Sequence, residues 1–163
     1  MRKLLVTLLA GGALLATGTP AFAQAAKPTL GPYGYGTVKL GMSATKARAT
    51  GRIVFKMGAG AGSCSGWDLK AHPTGKGSVG LYISRKAGVA VILAPKGVRT
   101  PRGIGLGSTM KQVKKAYPRL RTSPSGFQYV SVPGNPKAYY AFIASKGKVR
   151  QLAFALNRQD CVN

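Results

Sequence analysis

Carboxylates are almost missing from this chain. Asp68 and Asp160 are the only two, glutamate is absent, His72 is the sole histidine, and Cys64 and Cys161 are the sole cysteines, against 25 lysines and arginines. General acid–base catalysis, glycoside hydrolysis and metal-assisted hydrolysis all draw on clustered Asp, Glu, His or Cys. The sequence therefore predicts no catalytic residues, no cofactor and no metal centre, and points to binding. Glycine is plentiful, yet neither Gly103-Ile104-Gly105-Leu106-Gly107 nor Gly58-Ala59-Gly60-Ala61-Gly62 fits Gly-x-Gly-x-x-Gly, and Gly75-Lys76-Gly77-Ser78 lacks the upstream glycine of a phosphate loop. These runs read as turns.

A membrane-length apolar run is also lacking. The stretch Leu4 to Thr17 follows Arg2 and Lys3 and precedes Ala21-Phe22-Ala23, the pattern of a signal peptide over 1–23 with cleavage near Ala23. Ala23-Gln24-Ala25 is a second possible cleavage site. A transmembrane anchor would need roughly 20 apolar residues, so the expectation is a secreted, extracytoplasmic chain with no transmembrane segment once residues 1–23 are removed. Segment 24–34, with its proline and small residues, reads as a flexible leader.

An even pair of cysteines in an exported domain favours a Cys64–Cys161 disulfide over two free thiols. The competing reading, a Cys64 nucleophile activated by His72, needs the pair unbridged and has no third orienting group. Trp67, close to Cys64, is expected against the disulfide, and His72, followed by Pro73, in an exposed loop.

What is abundant is positive charge, with a formal net of +23. Its densest stretch holds Arg99, Arg102, Lys111, Lys114, Lys115, Arg119 and Arg121 without an acid among them. Such a run is either a solvated helix face or a polyanion-binding patch, and a merely soluble surface normally mixes signs.

The apolar fraction of 45% argues for a folded chain. Thr37 to Ala47 and Gly103 to Val113 line up as two copies of a motif: an apolar-x-Leu-Gly step, a hydroxyl residue able to cap a helix (Ser43, Thr109), and a short helix. Met110, Val113 and Tyr117 form the apolar stripe of the second helix, which Pro118 stops; the first runs from about Ala44 to Thr50. Strands are predicted at 53–57, 66–70, 79–84 and 89–94, then at 127–132, 138–144 and 149–156, with Lys146-Gly147 as a hairpin turn. The expected class is α+β, in two tandem repeats (35–94 and 103–163) joined by a linker over 95–102, each a short helix or helix pair packed on a small antiparallel sheet.

The step Leu40-Gly41-Met42-Ser43-x-x-x-Ala47, returning as Leu106-Gly107-Ser108-Thr109-x-x-x-Val113, resembles the Gly-Met-Thr-x-x-Gln-Val signature of the group containing the outer-membrane assembly lipoproteins and the beta-lactamase inhibitor proteins. The layout over 35–161 is also similar to secreted actinobacterial proteins with a Cys-x-x-Trp and a late Asp-Cys. The resemblance implies the helix-on-sheet unit used twice and raises enzyme inhibition as a function. Two departures weigh against the latter. The inhibitors carry a disulfide within each repeat, whereas Cys64–Cys161 would tie the repeats together, and they rely partly on carboxylates, of which this chain has two.

Aromatics gather in the second half. Tyr139 and Tyr140 are adjacent, so on a strand only one faces the core. The outward ring, with Tyr129, Lys137 and Arg150, makes a candidate protein-binding surface; ordinary cross-strand packing is the alternative. The sequence thus predicts a secreted, non-enzymatic binding module engaging a protein or an anionic cell-envelope component, the alternative being a binder of polyanions such as teichoic acid, anionic lipid or, without sequence specificity, nucleic acid.

Overall fold

The computed structural model describes residues 28–60 and 62–162. The expected signal peptide, and the leader as far as residue 27, lie outside them. The described elements are β1 (Gly34–Tyr35), β2 (Val38–Lys39), α1 (Ala44–Ala49), β3 (Ile53–Met57), β4 (Cys64–Leu69), β5 (Leu81–Ser84), β6 (Gly88–Leu93), α2 (Met110–Ala116), β7 (Arg121–Thr122), β8 (Gln128–Val132), β9 (Asn135–Ser145) and β10 (Lys148–Leu156).

The expected α+β class, with each repeat a helix unit on its own small sheet, is corrected. Among the described residues about 43% are strand and 10% helix, and β3 to β10 form one eight-stranded antiparallel sheet in the order β3-β4-β5-β6-β10-β9-β8-β7. The two halves are fused where β6 pairs with β10, through Ala153 with Leu93, Phe154 with Ile92 and Ala155 with Val91. Alternation along a strand shows which face each side chain takes, but not which edges of distant strands will pair, so two small sheets and one large one read alike in sequence. The helices have six and seven residues, too few to form a layer.

Each recurring Leu-Gly step has the same task. Gly41 N donates to Val89 O and Val89 N to Met42 O; Gly107 N donates to Val149 O and Val149 N to Ser108 O. The steps thereby dock on β6 and β10, the two central strands. Gly88 sits so close to this junction that a Cβ there would lie 2.6 Å from Met42 O. Ser43 and Thr109 then cap the helices, Thr109 in a full capping box with Gln112.

Side chains of alternating position separate into two clusters. On the helix side, Ala47 of α1 and Val113 and Tyr117 of the α2 stripe pack with Leu81, Ile83, Val89, Ile92, Tyr140, Phe142, Leu152 and Phe154. Full burial of each large apolar side chain contributes roughly 1.5–3 kcal/mol. The opposite face has a floor of small residues, Ala90, Val91, Ala141, Ala153 and Ala155, to which neither helix adds a residue; Tyr82, Leu93, Phe127, Tyr129, Tyr139, Cys161 and Val162 pack on it.

Two connecting segments pack against the core. The described part of the leader is a strap on the helix side. Leu30 is wholly buried, its N–H donates to Arg99 O and its carbonyl accepts from Tyr140 Oη, while Asn135 Nδ2 donates to Pro32 O. The expected linker 95–102 is packed too, with Val98 and Thr100 buried and Thr100 Oγ1 accepting from Tyr117 Oη at 2.7 Å. Proline and glycine report turns, and they do not report whether a turn packs on the core.

Candidate functional site

Cys64 and Cys161 are joined, with Cα atoms 5.5 Å apart. The bond pins the segment after β10 across the small-residue face, since Cys161 and Val162 pack on that floor. It fits an oxidising, extracytoplasmic compartment, and no described helix is long and apolar enough to cross a membrane. The bond also ends the Cys64–His72 reading. His72 is half-buried rather than loop-exposed, with Nε2 3.0 Å from the Tyr35 hydroxyl. Trp67 does not cover the disulfide either. It lies three residues from Cys64 on β4, hence on the other face, with its ring edge-on to Phe55 at 5.2 Å and Nε1 donating to Ser65 Oγ.

The two carboxylates have structural employment. Asp68 is buried and accepts from Lys56 Nζ at 2.9 Å, from Thr74 N and Oγ1, and from Gly80 N. Burial pushes its pKa up, but the bonds from Thr74 and Lys56 outweigh that and hold it below the ordinary value. Asp160 sits beside the disulfide, one oxygen 3.6 Å from Cys64 Sγ, and hydroxyls of Ser84 and Ser63 hold its carboxyl low. Cys64, Asp160 and Cys161 cluster closely enough to suggest metal ligands. Both sulfurs are spent in the disulfide, so neither is a thiolate donor.

On the open face, Phe127, Tyr129 and Tyr139 form a row of edge-to-face rings, with centroids 6.4 Å and 6.2 Å apart. Arg121, paired with Tyr129 across β7 and β8, lays its guanidinium over that ring at 5.5 Å. A recess of about 370 Å³ adjoins the row, bounded also by Ser131 and Asn157. Burial raises the pKa of Tyr139, with a bond to Gln159 working against it.

Of the expected protein-binding residues, the structure brings Tyr129 and Tyr139 together. Tyr140 is corrected: it is buried on the helix side, in contact with Tyr117 and Phe154 rings. Lys137 and Arg150 are exposed and line no part of the recess. Arg150 is five residues along β10 from Ala155, the partner of Tyr139, about 17 Å away at the usual strand rise. Phe127 was not among the sequence candidates. Its two-residue spacing from Tyr129 was the available signal.

Five of the seven basic candidates line two adjoining clefts. Arg99, Arg102 and Lys115 line a cleft of about 450 Å³. Arg102, Arg119 and Arg121 line a neighbouring one of about 630 Å³. Lys111 and Lys114 are exposed on α2 and line neither.

No protein-family model, curated protein or solved structure matches this chain.

Proposed function

We propose that this is an extracytoplasmic, non-enzymatic binding module that engages a protein or cell-envelope partner through the open face of its sheet. The observation that carries this reading is the ring row Phe127–Tyr129–Tyr139 beside a recess, on a face to which no helix contributes. Tyrosine and phenylalanine supply large contact area with few rotatable bonds, so little entropy is lost when a partner seats on them. The signal-peptide pattern and the disulfide support the compartment. Lack of clustered acids, histidines or thiols supports a role in binding rather than turnover.

The test is affinity capture from the producing cell's envelope and medium at low and high salt, with Y129A/Y139A as the control bait. A partner retained at high salt by the native chain and lost with the double variant supports the sheet face. Retention by both baits alike removes it.

A second reading, polyanion binding, rests on the clefts built around Arg99, Arg102, Lys115 and Arg119. Its signature is opposite: retention falls steeply with salt, because bound cations displace condensed counterions.

A further inference from the structure

Building on the polyanion reading, we infer that the cleft formed by Arg99, Arg102 and Lys115 is a binding site for a phosphodiester polymer, and that the lysines of α2 outside it take no part. The sequence alone treats all seven cations of this stretch as equivalent. The fold distinguishes them by what holds each one.

Arg99 Nη1 donates to Gly103 O at 2.8 Å, and Arg102 Nη1 donates to Ala116 O at the end of α2. Arg102 is fixed a second time by lying over the Tyr117 ring at 5.3 Å. Each guanidinium spends one of its five N–H donors on the backbone and keeps the rest. A fork already held in place loses little rotamer freedom on meeting a ligand, and its geometry matches two oxygens of a phosphate. Lys115 adds a third, mobile cation to the same cleft. No carboxylate competes for them. Asp68 is engaged by Lys56 and Asp160 stands beside the disulfide, and the chain has no other acid side chain.

Arg102 is shared with the neighbouring cleft, where Arg119 supplies the next cation. Two cationic recesses with a common wall suit anions arranged in series, as in a polyol-phosphate chain, better than one isolated phosphate. A membrane surface fits less well. The large apolar side chains exposed among the described residues are Tyr33, Val54, Phe55, Met57 and Ile143, and none lines either cleft. At the rim the cations stand with Pro118, Pro133, Pro136 and the half-buried Leu120, and none of the exposed large aliphatic side chains is there to enter lipid.

The experiment compares two double variants of the full chain, each lacking two charges: R99Q/K115Q inside the cleft and K111Q/K114Q outside it. Arg102 is left in place because it binds the end of α2. Binding of a soluble glycerol-phosphate oligomer is titrated at several salt concentrations. The expected result is about tenfold or greater weakening for R99Q/K115Q, with the salt slope lower by roughly one unit per lost contact, and less than about twofold change for K111Q/K114Q. Equal weakening in both overturns the cleft while leaving the polyanion reading standing. No salt-dependent binding by the native chain to the oligomer or to phosphatidylglycerol vesicles overturns both. Binding to phosphatidylglycerol vesicles but not to the oligomer also overturns the proposal, in favour of a membrane. If R99Q/K115Q does not fold, K115Q against K114Q makes the same comparison: weakening confined to K115Q supports the cleft and an equal effect overturns it.

Discussion

The Tyr140 hydroxyl donates to the Leu30 carbonyl at 2.6 Å, joining residues 110 apart in the chain. Both residues are buried, so neither group has water as a substitute partner. Burial, and after it the neighbouring Tyr117, raises the phenol's pKa above its ordinary value, which favours the neutral, donating form. Of the adjacent tyrosines, Tyr140 is the inward one, and it anchors the strap. Y140F leaves the Leu30 carbonyl without its donor and should cost about 1–3 kcal/mol. Urea unfolding checks this: the midpoint should fall with the slope unchanged, while capture through the open face is unaffected.

Asp68→Asn removes the charge that gathers Lys56, Thr74 and Gly80. Losing the charged acceptor from this part-buried pair should cost about 1–3 kcal/mol at neutral pH. The folded pKa of Asp68 lies below its unfolded value, so its stabilisation is present above about pH 4 and lost as pH falls through the folded value. The stability gap between native protein and D68N should therefore narrow at acid pH. Paired urea titrations at neutral pH and near pH 3 measure it, and a gap that stays constant would contradict the assignment.

The disulfide closes a loop of 97 residues, for which chain entropy predicts about 4 to 5 kcal/mol as an upper value. C64S/C161S should unfold at a clearly lower urea concentration than the native protein. Alkylation without reductant followed by mass spectrometry should find no free thiol.

Thr109→Ala removes one half of the α2 capping box and should cost about 1 kcal/mol. A modest drop in melting temperature is expected. A null result would show that docking of Gly107 on Val149 fixes the start of α2 without the cap.

Much of the strand and helix placement is legible in the residues themselves. The Met110–Val113–Tyr117 stripe and the hydroxyl caps locate α2, the alternation at Leu81 and Ile83 locates the buried face of β5, and Lys146-Gly147 turns β9 into β10 with both residues at positive φ. The pairing of β6 with β10 is not legible, because Val91 and Ala155 carry no mark naming one another as partners. The burial of Leu30 was hidden for a related reason: a lone apolar residue among Pro, Gly and Thr has no period, and only the Tyr140 hydroxyl shows where it docks. For the site, adjacency of Tyr139 and Tyr140 required one inward and one outward ring, but assigned neither. Choosing between them needed the register of β9 against β8 and β10. The division of the basic residues between clefts and open helix surface depends on backbone carbonyls at Gly103 and Ala116, which no side-chain pattern announces.

β10 is the last strand described, yet it lies inside the sheet, between β6 and β9. During synthesis, β3 to β6 emerge first and must wait for residues beyond 148 before β6 acquires its second neighbour. Until then the nascent chain presents the edge of Val91 to Leu93 unpaired, an apolar template for pairing with other chains. Any product interrupted before that point carries this edge permanently, with Cys64 deprived of its partner. The first half, lacking the partner strand of β6, is thus a poor candidate for independent expression.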